Sequence, residues 1–127
     1  MKKITVIDDE KDLVETIKSF LGIRGYDISF AYNGEDGLKV IREEKPDVVV
    51  LDVMMPKMDG RDVLVQMKKE ETLKDIPVLL LTAKEEDIHR EYCIEMGAYE
   101  FIPKPYNGKI LLRQIDKIFE KKQRGEI

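Results

Sequence analysis

A chain of 127 residues with 43% apolar and 38% charged side chains is long enough for one domain with a real core. Its net charge of −4 argues against nonspecific nucleic-acid binding, which depends on positive surface, and its single cysteine, Cys93, excludes an internal disulfide or a cysteine-built metal site. No apolar run approaches the roughly 20 residues of a membrane span, and the Met-Lys-Lys start leads into a strand instead of a signal-peptide core, so the expected location is the cytoplasm, away from any membrane.

The pattern predicts strands and helices in alternation. Residues 4–7 form a short apolar strand that ends in Asp8, Asp9 and Glu10. The first helix follows, with Leu13, Ile17, Phe20, Leu21 and Arg24 recurring on one face and Gly25 as its stop. Residues 27–31 read as the second strand. The second helix starts at Glu35, carries Leu38 and Ile41 inward and is stopped by Pro46. Residues 48–51, four apolar side chains in a row, read as a strand buried on both faces and ending at Asp52. A third helix over 61–70, a fourth strand over 78–81, a fourth helix over 85–96 before Gly97, a fifth strand over 100–102 and a fifth helix over 108–121 complete a (βα)5 chain. Such alternation requires a parallel sheet covered by helices on both faces. Residues 1–122 are expected to form the domain and 123–127 a tail.

The strand ends carry the chemistry. A carboxylate inside a doubly buried strand would need a partner or lose its charge, but Pro56 and the Met-Asp-Gly turn place Asp52 at the strand's carboxyl edge, where open α/β sheets keep their sites. If the first and third strands are neighbours, Asp8, Asp9 and Asp52 meet, and three like charges at one point call for a hard divalent cation, Mg2+ or Mn2+. Helix capping is the competing use of Asp8 or Asp9. The fourth strand ends in Thr82-Ala83, a hydroxyl followed by a small residue, and the fifth leads to Pro103-Lys104-Pro105, which brings a cation. A metal site, a nucleophilic carboxylate, a hydroxyl and an ammonium are the apparatus for taking up a phosphoryl group.

The segments VIDDE, VVVLDVMMPKMDG, LLLTAK and FIPKPY, in this order, resemble the receiver domain of two-component response regulators over essentially the whole chain. The resemblance implies a flavodoxin-like, doubly wound fold with strand order 2-1-3-4-5. It also implies that Asp52 accepts phosphate from a phosphohistidine on a sensor histidine kinase or a histidine phosphotransfer protein. Carried across, Asp9 and the main-chain carbonyl of Met54 bind Mg2+ directly beside Asp52, and Asp8 does so through water. Thr82 and the backbone of Ala83 hold the phosphoryl oxygens, and Lys104 pairs with Asp52 or the phosphate. Thr82 and Phe101 stand at the family's switch positions, which act on the face of the fourth helix, fifth strand and fifth helix, with Phe101 expected inward even without phosphate and permanent core packing as its other reading. Lys11, Leu13, Pro105 and Tyr106 are the expected docking residues, with core packing as the other reading of Leu13.

Two other chemistries fit less well. A phosphatase of the haloacid-dehalogenase kind needs a second aspartate two residues after its nucleophile, and Met54 stands there. A nucleotide-binding module needs a glycine-rich phosphate loop, which follows none of the strands. The expected role is therefore a phosphoacceptor and not an enzyme, with at most self-phosphorylation from small donors and slow self-dephosphorylation. Self-dephosphorylation is expected to be slow, because Met54 and Lys84 would shield the aspartyl phosphate. The chain is expected to be a stand-alone receiver that signals to an unidentified effector by docking, with a receiver fragment of a longer DNA-binding regulator as the alternative.

Overall fold

The computed structural model describes residues 2–83, 94–104 and 107–127. Among them lie β1 (Lys3–Ile7), α1 (Lys11–Gly22), β2 (Asp27–Ala31), α2 (Gly34–Glu44), β3 (Val48–Asp52), α3 (Gly60–Lys69), β4 (Val78–Ala83), β5 (Glu100–Lys104) and a C-terminal helix (Gly108–Gln123). The strands form one parallel sheet in the order β2-β1-β3-β4-β5, as the resemblance implied. Of the sequence positions singled out above, Lys84, Cys93, Pro105 and Tyr106 lie outside the described residues, as does most of the expected fourth helix.

Side chains alternate across a strand, so the fully buried β3 feeds two cores. Val49 and Leu51 join Leu38 and Ile41 of α2 and Val63, Leu64 and Met67 of α3 on one face. Val48 and Val50 join Val14, Ile17 and Leu21 of α1 and Leu111, Ile115 and Ile118 of the C-terminal helix on the other. The apolar run that made β3 legible is thus a strand with no solvent side.

Helix ends follow local chemistry. Asn33 caps α2 by accepting from the Asp36 amide, and Asp59 and Asp62 form a reciprocal capping box at the start of α3. Gly97, with φ +104, donates its amide to the Ile94 carbonyl, which suits a stop before β5. Gly125, with φ +74, closes the C-terminal helix, where the Glu126 amide reaches the Lys121 carbonyl and the Gly125 amide reaches Lys122.

The buried stripe of α1 differs from expectation. Val14, Ile17 and Leu21 are buried, Leu13 and Phe20 only flank them, and Arg24 lies beyond the helix. The apolar arc of α1 is wider than the surface it covers, so packing against the sheet chose its centre. No helix among the described residues is long and apolar enough to cross a membrane.

Candidate functional site

Parallel pairing in register sets the carboxyl ends of four strands side by side. Ile7 of β1 pairs with Leu51, Asp52 with Leu81, Thr82 with Pro103 and Ala83 with Lys104. Asp8 is the first residue past β1, and its amide donates to the Ala31 carbonyl at 3.2 Å. The acids of β1, the acid of β3, the hydroxyl of β4 and the ammonium of β5 therefore meet at one edge.

Asp8 and Asp52 are 0% and 3% exposed, so neither can rely on bulk water for its charge. Lys104 serves both: its Nζ lies 3.0 Å from Asp8 Oδ2 and 3.1 Å from Asp52 Oδ1. The other Asp8 oxygen accepts the Glu10 amide at 3.0 Å. α1 begins after Glu10 and has no side-chain cap, so helix capping is not how either aspartate is used. One ammonium cannot neutralise two buried carboxylates. Burial, and then the Asp8 charge, pushes the Asp52 carboxyl up to about 7 despite Lys104. Burial likewise raises Asp8. Burial opposes the charge on Lys104, but Asp8 and Asp52 outweigh it and lift its pKa.

Asp9 is exposed at the mouth of the same pocket. Asp8, Asp9 and Asp52 each offer an oxygen, and these oxygens lie within 4.8 Å of one another. Hard oxygen donors with more negative than positive charge are a donor set suited to Mg2+. Thr82 is buried beside Asp52's neighbour Leu81, Met54 is half-exposed, and Phe101 packs partly buried against the core that holds Leu80 and Ala98. Lys11 is exposed with its ammonium 5.2 Å from the Tyr32 ring, and Leu13 packs partly buried beside the α1 core.

Three features escaped the sequence reading. Glu10 lies 3.6 Å from Lys104, making a third acid around one ammonium. Gly60, the first residue of α3, stands so close to β3 that an added Cβ would fall 2.3 Å from the Asp52 carbonyl oxygen. Gly34 is similarly confined, 2.5 Å from the Met58 carbonyl oxygen by the same measure. The only local signals were a glycine directly after a capping residue in both places, Asp59-Gly60 and Asn33-Gly34.

Comparison with known proteins gives a consistent picture. The family described as the response regulator receiver domain matches residues 4–116. The alkaline phosphatase synthesis transcriptional regulatory protein PhoP of Bacillus subtilis (strain 168) is 37% identical over 122 residues, 96% of this chain and 50% of PhoP, so the chain spans about half the length of that relative. A response regulator receiver domain protein from Clostridium thermocellum superposes with a TM-score of 0.88 at 31% identity, covering 97% of this chain and 98% of that one. The receiver domain of the Francisella response regulator 1452 also gives 0.88, at 26% identity, covering 96% and 99%.

Proposed function

Because the chain belongs to the receiver-domain family of response regulators, we propose that Asp52 takes a phosphoryl group from a phosphohistidine on a sensor histidine kinase or phosphotransfer protein. The observation that carries this reading is the shared ion pair: Lys104 stands 3.1 Å from Asp52 and 3.0 Å from Asp8 at the sheet's carboxyl edge. In the transfer, an Asp52 oxygen forms a bond to phosphorus while the phosphorus–nitrogen bond of the donor histidine breaks, its electron pair returning to the ring. Asp52 must be ionised to attack. Lys104 favours that form, and its charge then faces the oxygens of the transferred group. The Thr82 hydroxyl and the Ala83 amide would donate to those oxygens.

The acidic pocket would hold Mg2+ through Asp9, Asp52 and the Met54 carbonyl. Asp8 would act through water, as both its oxygens already accept bonds from Glu10 and Lys104. When bound, the cation supplies positive charge against the carboxylates and the incoming phosphoryl group. Phosphorylation adds close to two negative charges, which reward Thr82 for turning toward them. Phe101, packed against the Leu80 core, would fill the space released. This reaction would take place in the cytoplasm, and its output would pass to an effector docking on β5 and the C-terminal helix. A transcriptional output is a second reading, favoured by the relative's description as a transcriptional regulatory protein.

Incubation with Mg2+ and acetyl phosphate should add one phosphoryl group, read by intact mass, and Asp52→Asn should add none. Labelling that persists in Asp52→Asn sinks the assignment. Asp9→Ala should weaken metal binding more than Asp8→Ala does.

A further inference from the structure

The turn between β3 and α3 holds Met54, whose carbonyl is a proposed cation ligand, and both ends of this turn are fastened to the sheet. The Val53 amide donates to the Leu81 carbonyl at 2.9 Å, and the Gly60 amide returns to the Val53 carbonyl at 2.9 Å. At its return leg there is no room for a methyl group beside the Asp52 carbonyl. The crown of the turn lies between these two anchors. There Lys57 adopts φ +67, a left-handed conformation that a lysine does not choose unaided, so the surroundings must impose it.

The surroundings are α2 and the core. Met55 is buried and Met58 packs against the cluster that contains Leu38 and Val63. A Cβ on Gly34 would lie 2.5 Å from the Met58 carbonyl oxygen, 2.9 Å from Met58 Cγ and 3.0 Å from Val63 Cγ2. The start of α2 is thus seated directly on the turn's backbone. α2 is itself pinned: Gly37 lies against Ile7 of β1, and Arg42 bonds Glu70, just past α3, through two nitrogens at 2.9 and 2.7 Å. Pressure at Gly34 passes into the turn because the helix behind it has nowhere to retreat.

We propose that Gly34, with Met58, is a positioning residue for the divalent-cation site: their backbone contact sets where the Met54 carbonyl points. The inference rests on the cation site proposed above and extends it to a helix that contributes no ligand. A main-chain carbonyl has no rotamer with which to adapt, so its aim depends wholly on the turn's path. Backbone displaced by even a fraction of an ångström misdirects the oxygen, and outer positions of this kind weigh on metal affinity.

The experiment titrates the purified protein with Mn2+ alone, following free Mn2+ by electron paramagnetic resonance, and measures thermal unfolding of each variant without metal. Gly34→Ala should bind Mn2+ about tenfold more weakly, the low end of outer-shell effects. Lys57→Val, whose β-branch disfavours φ +67, displaces the crown of the turn without adding bulk against α2, and should lose affinity several-fold while the variant stays folded. This second variant carries the test if Gly34→Ala does not fold. Asp9→Ala is the control for the site itself. Weak binding by Asp9→Ala with parental binding by the folded turn variants overturns the positioning role. Parental binding by Asp9→Ala overturns the cation site on which it rests.

Discussion

Lys104 and Asp52 form an ion pair at 3.1 Å that is shared, because the same ammonium stands 3.0 Å from Asp8. Neither carboxylate has an exclusive partner. Lys104→Met keeps the stem and removes the charge, leaving both acids buried without a cation and Asp8 with only the Glu10 amide. Without metal at pH 8, this variant should lose about 3 kcal/mol of stability. At pH 5 the loss should be smaller, since protonated acids no longer need the ammonium. Equal losses at the two pH values in urea unfolding would show that Lys104 acts through packing alone.

The shift at Asp52 has a sign that can be tested. Its ordinary value of 3.8 is pushed up to about 7 in the folded chain, so between these values the folded state keeps a proton that the unfolded state has released. Stability without metal should therefore fall as pH rises from about 4 to 7 and level off above. Asp52→Asn should remove part of this slope, since burial raises Asp8 as well, and exceed the parent at pH 8 by roughly 2 kcal/mol. Unfolding curves in a chelator decide it: a slope unchanged in Asp52→Asn assigns the titration elsewhere.

The lifetime of the aspartyl phosphate depends on water reaching phosphorus in line with the departing carboxylate. Met54, half-exposed two residues after Asp52, offers bulk and only a weak acceptor. Lys84, outside the described residues, offers donors but no base while charged. Slow self-dephosphorylation is the outcome expected from these two side chains. The Met54→Asn, Lys84→Glu double variant should decay at least several-fold faster than the parent in a first-order assay. A rate unchanged or slower defeats the shielding argument.

At the opposite end of the sheet from the acids, Tyr26 donates its hydroxyl to Asp116 at 2.7 Å while Arg24 bonds the same carboxylate at 3.1 Å. The Tyr26 ring also stacks on Phe119 with centroids 5.3 Å apart. Burial, then the Asp116 bond, raises the phenol to about 12, so this contact should stabilise the fold up to about pH 10 and be lost as pH rises toward 12. Tyr26→Phe keeps the stacking and removes the bond, which should lower stability by about 1 kcal/mol at pH 7. Unaltered urea midpoints would mean that Asp116 is served equally well by Arg24 alone.

Much of the site was legible because its members announce themselves locally. Asp8, Asp52, Thr82 and Lys104 each stand at the end of an apolar run, and alternation of short strands with helices leaves few ways to arrange those ends. The buried face of α1 was less legible: Leu13, Val14, Ile17, Phe20 and Leu21 make an arc too wide to indicate its own centre. Gly34 and Gly60 gave even less, since a glycine after a capping residue looks the same whether the space beside it is open or filled.

By itself, the sequence determined which side chains reach the edge of the sheet, because strand and helix periods and turn residues act over a few neighbouring positions. Only the tertiary structure decided how those side chains divide their charges. The Lys104 bond to Asp8 spans 96 positions of chain, and its length is set by the register of the strands between them. The same packing buries Asp52 and seats α2 on the turn after β3. Distances of 3.0 to 3.1 Å across such separations are products of close packing, where each element's position is settled by all its neighbours at once.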